Sequence, residues 1–281
     1  MKGIVLACIA LSLSIVSTAQ TDSTSQEKRE RTEKADTIKV GGMIIIRRGD
    51  RSDSSGNKTV IINGKNKKSN SKVSTNWFIV DVGFNNYNDN TDYTSAAAQN
   101  FAPGLSEEQF KLRTGKSVNV NFWFFMQRLS LIQRAVNLKY GLGLELNNYR
   151  FDDERIRFQE NPTLITIDPD YKGLRKNKLA ADYVTVPLLL NFNFTPNRKD
   201  GFGISAGVSG GYLYSARQKI KNNGDKDKLH DDFDLRKWKL SYIGELNLGP
   251  VRLYGSYAVK SMWEKGLDQT PYAVGIRLSH F

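Results

Sequence analysis

Residues 136–147 read VNLKYGLGLELN, and their alternation decides the architecture. Val136, Leu138, Tyr140, Leu142, Leu144 and Leu146 share one face of an extended chain, with Asn137, Lys139, Gly141, Gly143, Glu145 and Asn147 on the other. Successive side chains of a strand point to opposite sides, so a period of two marks a strand with one apolar and one polar face. The polar face here holds charges of both signs and mid-strand glycines. An ordinary water-facing surface gives no reason for such glycines, because they weaken a strand.

The pattern recurs on both sides of this stretch. Phe78, Val80, Val82 and Phe84 alternate with Trp77, Ile79, Asp81, Gly83 and Asn85. Val118, Val120, Phe122, Phe124 and Met126 oppose Asn119, Asn121 and Gln127. Val184, Val186, Leu188, Leu190, Phe192 and Phe194 oppose Tyr183, Thr185, Pro187, Asn191 and Asn193. Further runs lie near 202–214, 238–248, 251–260 and 272–280. The sum is about eight runs of about ten residues, the length a tilted strand needs to cross a bilayer.

The connections alternate in length. Those at 88–115, 152–177 and 218–236 are long; those at 128–135, 195–201 and Gly249-Pro250 are short; 261–270 is intermediate. Long outer loops taking turns with short periplasmic turns predict an all-β, antiparallel up-and-down transmembrane barrel over 75–281, with both ends of the barrel segment on one side. The polar face decides which side is outside. Asp81, Lys139, Glu145, Lys239, Glu245, Arg252, Lys260 and Arg277 form a candidate lumen charge network, with glycines leaving room for neighbouring long side chains. The opposite face is nearly free of charge, as lipid requires. A soluble lipocalin-like barrel, with the apolar face inside, is the competing arrangement. Phe84, Tyr87, Tyr149, Tyr212, Tyr214, Trp238, Tyr257, Trp263 and Tyr272, near strand ends, are candidates for interfacial girdles.

The segment before the barrel reads differently. Lys2 followed by the apolar run Ile4–Val16 and the small residues Ser17-Thr18-Ala19 has the build of an export signal at 1–19, cleaved near Ala19. Val5-Leu6-Ala7-Cys8 loosely resembles a lipid-attachment motif, but too little apolar sequence precedes Cys8. Cys8 is the chain's single cysteine, so cleavage leaves no disulfide, thiolate nucleophile or thiolate metal site. Residues 20–74 are polar and aromatic-poor, a composition expected of a disordered periplasmic tail or linker, with β-like islands at Val40–Arg47 and Lys58–Asn63. The formal net charge of +12 could suggest nucleic acid. Export argues against it, and anionic lipid is the better partner for the excess.

The stretch Tyr183-Val-Thr-Val-Pro187-Leu188-Leu189-Leu-Asn-Phe192 resembles the tyrosine-then-Ile/Val-Pro-Leu-Leu strand of the PorT-like outer-membrane β-barrel family of Bacteroidota. Tyr140-Gly-Leu-Gly-Leu-Glu145 and the terminal Phe281 are similar to that family as well, and the resemblance covers 76–281. It implies an eight-stranded barrel, and the eponymous member is tied to secretion across the outer membrane. Phe281 resembles the signal read by the barrel-assembly machinery, although Ser279 and Arg277 occupy places that are usually apolar.

Chemistry is sparse. His230 sits beside Asp227, Asp231, Asp232 and Asp234 in the fifth connection, and an Asp–His pair on an outer loop could do acid–base work. A solvated charge run is the simpler reading, and the same carboxylates lack the spacing of a calcium loop. The fifth connection, with few apolar residues, is expected to be exposed and mobile. No serine elbow, phosphate-cradling loop or metal-binding helix is present. The expectation is therefore a non-enzymatic barrel without cofactors. Its structural or interaction role would lie in secretion, assembly or adhesion. Its partners would be outer-membrane lipids, the barrel-assembly machinery and an envelope protein held by 20–74 or the outer loops. Transport of a small solute, or action on lipid, is the alternative.

Overall fold

The computed structural model describes residues 36–40, 43–47 and 72–278, apart from 172, 174, 175, 197, 199, 200, 223 and 224. The export signal, the Lys58–Asn63 island, His280 and Phe281 lie outside the described residues. Two compact units divide at Ser69. In the first, β1 (Asp36–Val40) pairs antiparallel with β2 (Met43–Arg47), from Asp36 opposite Arg47 to Val40 opposite Met43. The sequence island at Val40–Arg47 thus holds β2 and the last residue of β1, whose polar Asp36-Thr37 start concealed the rest of that arm.

The second unit holds β3 (Val73–Asp89), α1 (Ala96–Phe101), α2 (Glu107–Phe110), β4 (Val118–Ile132), β5 (Val136–Arg150), β6 (Ile156–Gln159), β7 (Leu164–Ile167), β8 (Lys176–Asn193), β9 (Phe202–Asn222), β10 (Asp225–His230), β11 (Trp238–Leu248), β12 (Val251–Ala258) and β13 (Gln269–Leu278). Eight strands close a ring in the order β3-β4-β5-β8-β9-β11-β12-β13, with β13 pairing back to β3. Every pairing is antiparallel, and all but the closing β13–β3 pair join successive strands of the ring. β10 adds to the far end of β9, and β6 and β7 form a separate hairpin. Closure leaves no open edge in hydrocarbon, where an unpaired backbone group would cost several kcal/mol.

The apolar face points outward. Leu188 is 48% exposed, and Val184, Val186, Leu190 and Phe192 of β8 share its side, while Thr185, Leu189 and Asn191 are buried inside. The lipocalin-like arrangement is thereby overturned. No helix among the described residues is long and apolar enough to cross a membrane; the strands do so.

Two irregularities shift the simple alternation. Trp123 pairs with Gly143 but Phe125 pairs with Leu142, so one extra residue bulges at Phe124. Met126 therefore turns into the lumen, fully buried, and not onto the apolar outer face that strict period two assigned. Phe78 adopts a left-handed backbone (φ 56). Trp77, assigned to the inner face by alternation, consequently lies outside with Phe78, at 61% and 68% exposure.

Candidate functional site

The lumen is crossed by two sets of ion pairs drawn from four strands. Arg277 of β13 clamps Asp81 of β3, donating from Nε to Oδ1 at 2.7 Å and from Nη2 to Oδ2 at 2.8 Å. Its remaining nitrogen donates to Glu245 of β11. Lys139 of β5 donates to the other oxygen of Glu245 at 2.7 Å, and Lys239 of β11 donates to Glu145 of β5. Three cations thus meet three carboxylates, all nearly inaccessible to water. Desolvating such groups costs several kcal/mol each, and pairing with additional hydrogen bonds is what offsets it.

Those additional bonds come from residues that the charge pattern did not single out. Trp123 Nε1 donates to Asp81 at 2.7 Å, and Asn121 adds a longer bond at 3.4 Å. Tyr254 Oη reaches across to donate to Asn119 at 2.6 Å, and Asn119 donates on to Asn147 at 2.9 Å. The lumen glycines make room for these rings. A Cβ on Gly143 would sit 2.6 Å from the Trp123 ring, and one on Gly83 would sit 2.6 Å from Tyr254 Oη. The signal was available in sequence: Trp123 shares register with Asn119 and Asn121, and Tyr254 with Arg252.

Six of the eight expected network residues meet there: Asp81, Lys139, Glu145, Lys239, Glu245 and Arg277. The other two do not. Lys260 follows the end of β12 at Ala258 and is exposed, because the strand stops before reaching it. Arg252 keeps the inward register of Tyr254, half-buried near Arg128 and outside these ion pairs. The space left between Asp81, Trp123, Glu145, Leu189, Glu245 and Arg277 is about 30 Å³.

The family-like strand occupies this wall. Tyr183 is buried with Lys239 5.0 Å from its ring centre. Pro187 faces inward opposite Ser209, and the β5–β8 ladder passes from Tyr140–Leu188 directly to Gly143–Thr185, as a residue without an N–H demands. Leu188 faces lipid, whereas Leu189 packs inside with Ile79, Trp123 and Met126.

Above the network the long connections fold over the ring's outer end. Ser95 caps α1 through its side chain, and Ser106 with Gln109 forms a capping box on α2. The stop between them delivers Phe101 and Phe110 inward. Trp263 stacks on Phe158 (6.1 Å between centres) and meets Phe101 edge-on (5.5 Å). Phe158 in turn meets Phe151 at 5.9 Å and Phe233 at 5.3 Å. Gln218 donates to the Ile156 carbonyl and to Asn177, both at 2.9 Å, and accepts from the Phe158 N–H at 3.1 Å.

One expectation is corrected by this cap. Tyr149 and Trp263, expected in the interfacial girdle, are 2% and 1% exposed and belong to the cap interior, as does the half-buried Tyr87; Phe84, Tyr212, Tyr214, Trp238, Tyr257 and Tyr272 do face outward. The fifth connection, exposed at Asp227, Lys228 and Asp232, nonetheless has packing anchors among its described residues: β9 and β10 pair within it and Phe233 and Leu235 insert beside Trp263. His230 ends β10 with Arg217 as its ladder partner. Asp234 lies 3.1 Å from Lys265. No group of side chains suited to a metal ion occurs among the described residues.

A closed eight-stranded ring with lipid-facing Val, Leu and Phe and a charged interior defines an outer-membrane β-barrel. The chain belongs to the family described as Outer membrane protein beta-barrel domain, which it matches over residues 62–258. No curated protein matches the chain.

Proposed function

We propose that this barrel is a closed, non-enzymatic scaffold that works by binding a partner in the cell envelope. The observation that carries the reading is closure at two levels, by the ion pairs across the mid-lumen and by the aromatic cap above them. A ring of eight strands encloses little more than its own side chains, and here those side chains neutralise one another. Such packing holds a rim in place and gives no path to a solute. The outer connections, fixed by the cap, and residues 20–74 are the surfaces for an envelope partner. The resemblance of Tyr183–Phe192 to the PorT-like strand makes secretion the first context to examine, with assembly and adhesion beside it. On this reading the signal segment is removed near Ala19 and Phe281 is presented to the barrel-assembly machinery.

Single-channel recording of the refolded mature protein in planar bilayers tests the reading. The expected trace has no steady large conductance. A stable pore would move the protein to the transport class.

A further inference from the structure

One pattern of charge is left unexplained by the closed lumen. Arg150 of β5 lies opposite Lys178 of β8, Lys178 opposite Lys219 of β9, and Lys219 opposite Lys228 of β10. A single row across four strands is therefore entirely cationic. Lys176 opposite Lys221 starts a second row beyond it, and Arg217 lies in the row beneath. Residues directly opposite in an antiparallel pair share a face, and like charges there are destabilising. Among the described residues Lys178 donates to Asn148 of β5, a neutral partner that does not offset the accumulated like charge. Among the described side chains, the carboxylate in the rows below is Asp182, 2.5 Å from Arg217, while Glu154 lies toward Arg150 at the β5 end.

The face on which the rows lie is fixed by what sits behind them. Asn177, Leu179 and Gln218 alternate with the cations and are buried against the cap. The cations therefore continue the outer, lipid-facing side of the wall, the side of Val184, Val186 and Leu188 in β8. In β9 a bulge at Tyr214, where Asp182 pairs with Ser215 but Tyr183 with Leu213, keeps Arg217 and Lys219 on that side. Lys178 lies roughly 20 Å along β8 from Val184 at about 3.3 Å per residue, and roughly 15 Å higher at a tilt of about 40°. Tyr212, Tyr214 and Trp238, all exposed, mark the interface below it. What abuts such a wall beyond its aromatic girdle, on the side of the long connections, is the headgroup layer of the outer leaflet.

We propose that this cationic face binds the phosphate groups of an anionic glycolipid in the outer leaflet. Several lysines at ladder spacing suit a headgroup bearing more than one phosphate, since a phosphate accepts charge-assisted hydrogen bonds from more than one donor. The height of the rows requires a bulky, sugar-based headgroup. The site does not depend on whether the lumen conducts.

The test uses the full mature barrel in detergent micelles, with a bisphosphorylated acylated disaccharide and its dephosphorylated counterpart as probes. Binding is read by native mass spectrometry at low and high salt. Wild type is expected to prefer the phosphorylated lipid at least tenfold, with the preference shrinking in high salt. The Lys176→Gln/Lys219→Gln/Lys228→Gln variant is expected to lose the preference while unfolding at an equal or higher temperature, because like charges are removed. The corresponding triple arginine variant should keep it, and this arm stands even if the glutamine variant does not fold. Equal binding of both lipids by wild type, or an unchanged preference in the glutamine variant, would overturn the proposal. So would competition by polyglutamate as effective as the lipid itself, which would point to an acidic polypeptide.

Discussion

Replacing Arg277 by methionine removes the cation on which the lumen network turns. Asp81, fully buried, is left with the Trp123 N–H at 2.7 Å and the longer Asn121 contact, and with no positive partner. Glu245 keeps Lys139 at 2.7 Å. The balance of three cations and three carboxylates becomes two against three, an uncompensated charge in a space that water hardly enters. Removing one member of a buried pair costs about 3–5 kcal/mol, against a typical total stability of about 5–15 kcal/mol. Arg277→Met should therefore shift the guanidinium midpoint strongly downward in barrels refolded into lipid vesicles, followed by tryptophan fluorescence.

A second substitution separates charge from packing. Asp81→Asn in the Arg277→Met background restores neutrality, and the amide oxygen introduced by that change can still accept from Trp123. The double variant should regain about 1–3 kcal/mol, the range expected of directly coupled residues. If Arg277→Met falls within about 1 kcal/mol of wild type, or if Asp81→Asn deepens the loss, the network does not hold the lumen as described.

Three further outcomes follow from the same geometry. Leu188→Arg, placing a charge toward lipid, should cost about 2–4 kcal/mol in the same vesicle assay, whereas Ser205→Ala, which loses bonds to Asn191 and Lys139, should cost about 1 kcal/mol. Trp263→Ala removes the centre of the cap and should cost about 3–5 kcal/mol, with faster protease cleavage of the outer connections on intact cells. His230→Ala should leave partner co-purification and growth unchanged; loss of function from this change alone would favour an enzyme.

The ring was legible because lipid outside and charge inside impose opposite chemistries on alternate residues. Leu188 and Leu190 outside, with Asn191 and Thr185 inside, follow directly from that rule. It failed where the backbone departs from period two. The bulge at Phe124 sends Met126 inward, and the left-handed Phe78 sends Trp77 outward, though both runs read as uninterrupted alternation. Met126, Trp77 and Phe78 are apolar and Gln127, which the same bulge turns outward opposite Tyr140, is uncharged, so no misplaced charge in the sequence betrays the shift. Lys260 was misplaced for a different reason. Its parity is right, but β12 ends at Ala258 and parity does not mark where a strand stops.

The cap was not legible at all, and its reason for being hidden bears on the cationic rows. Phe101, Phe110, Phe158, Phe233 and Trp263 stand singly in polar connections, each with too few apolar neighbours to suggest a core. Only ring closure brings four separate connections over one opening, where those side chains find each other. Phe233 and Leu235, enclosed in a run of Asp and Lys, are the clearest case. Their insertion pins the chain just after β10, and Gln218, bonded to the backbone of β6, pins β9 behind the lysines. Leu229 packs against the same cluster from β10. The charges on the outer side of this wall are thereby held at ladder spacing, where mutual repulsion would otherwise spread them apart. A cap that merely closed the lumen would not require its anchors to lie directly behind Lys178, Lys219 and Lys228. Their placement there makes the cap a support for a surface of fixed positive charge.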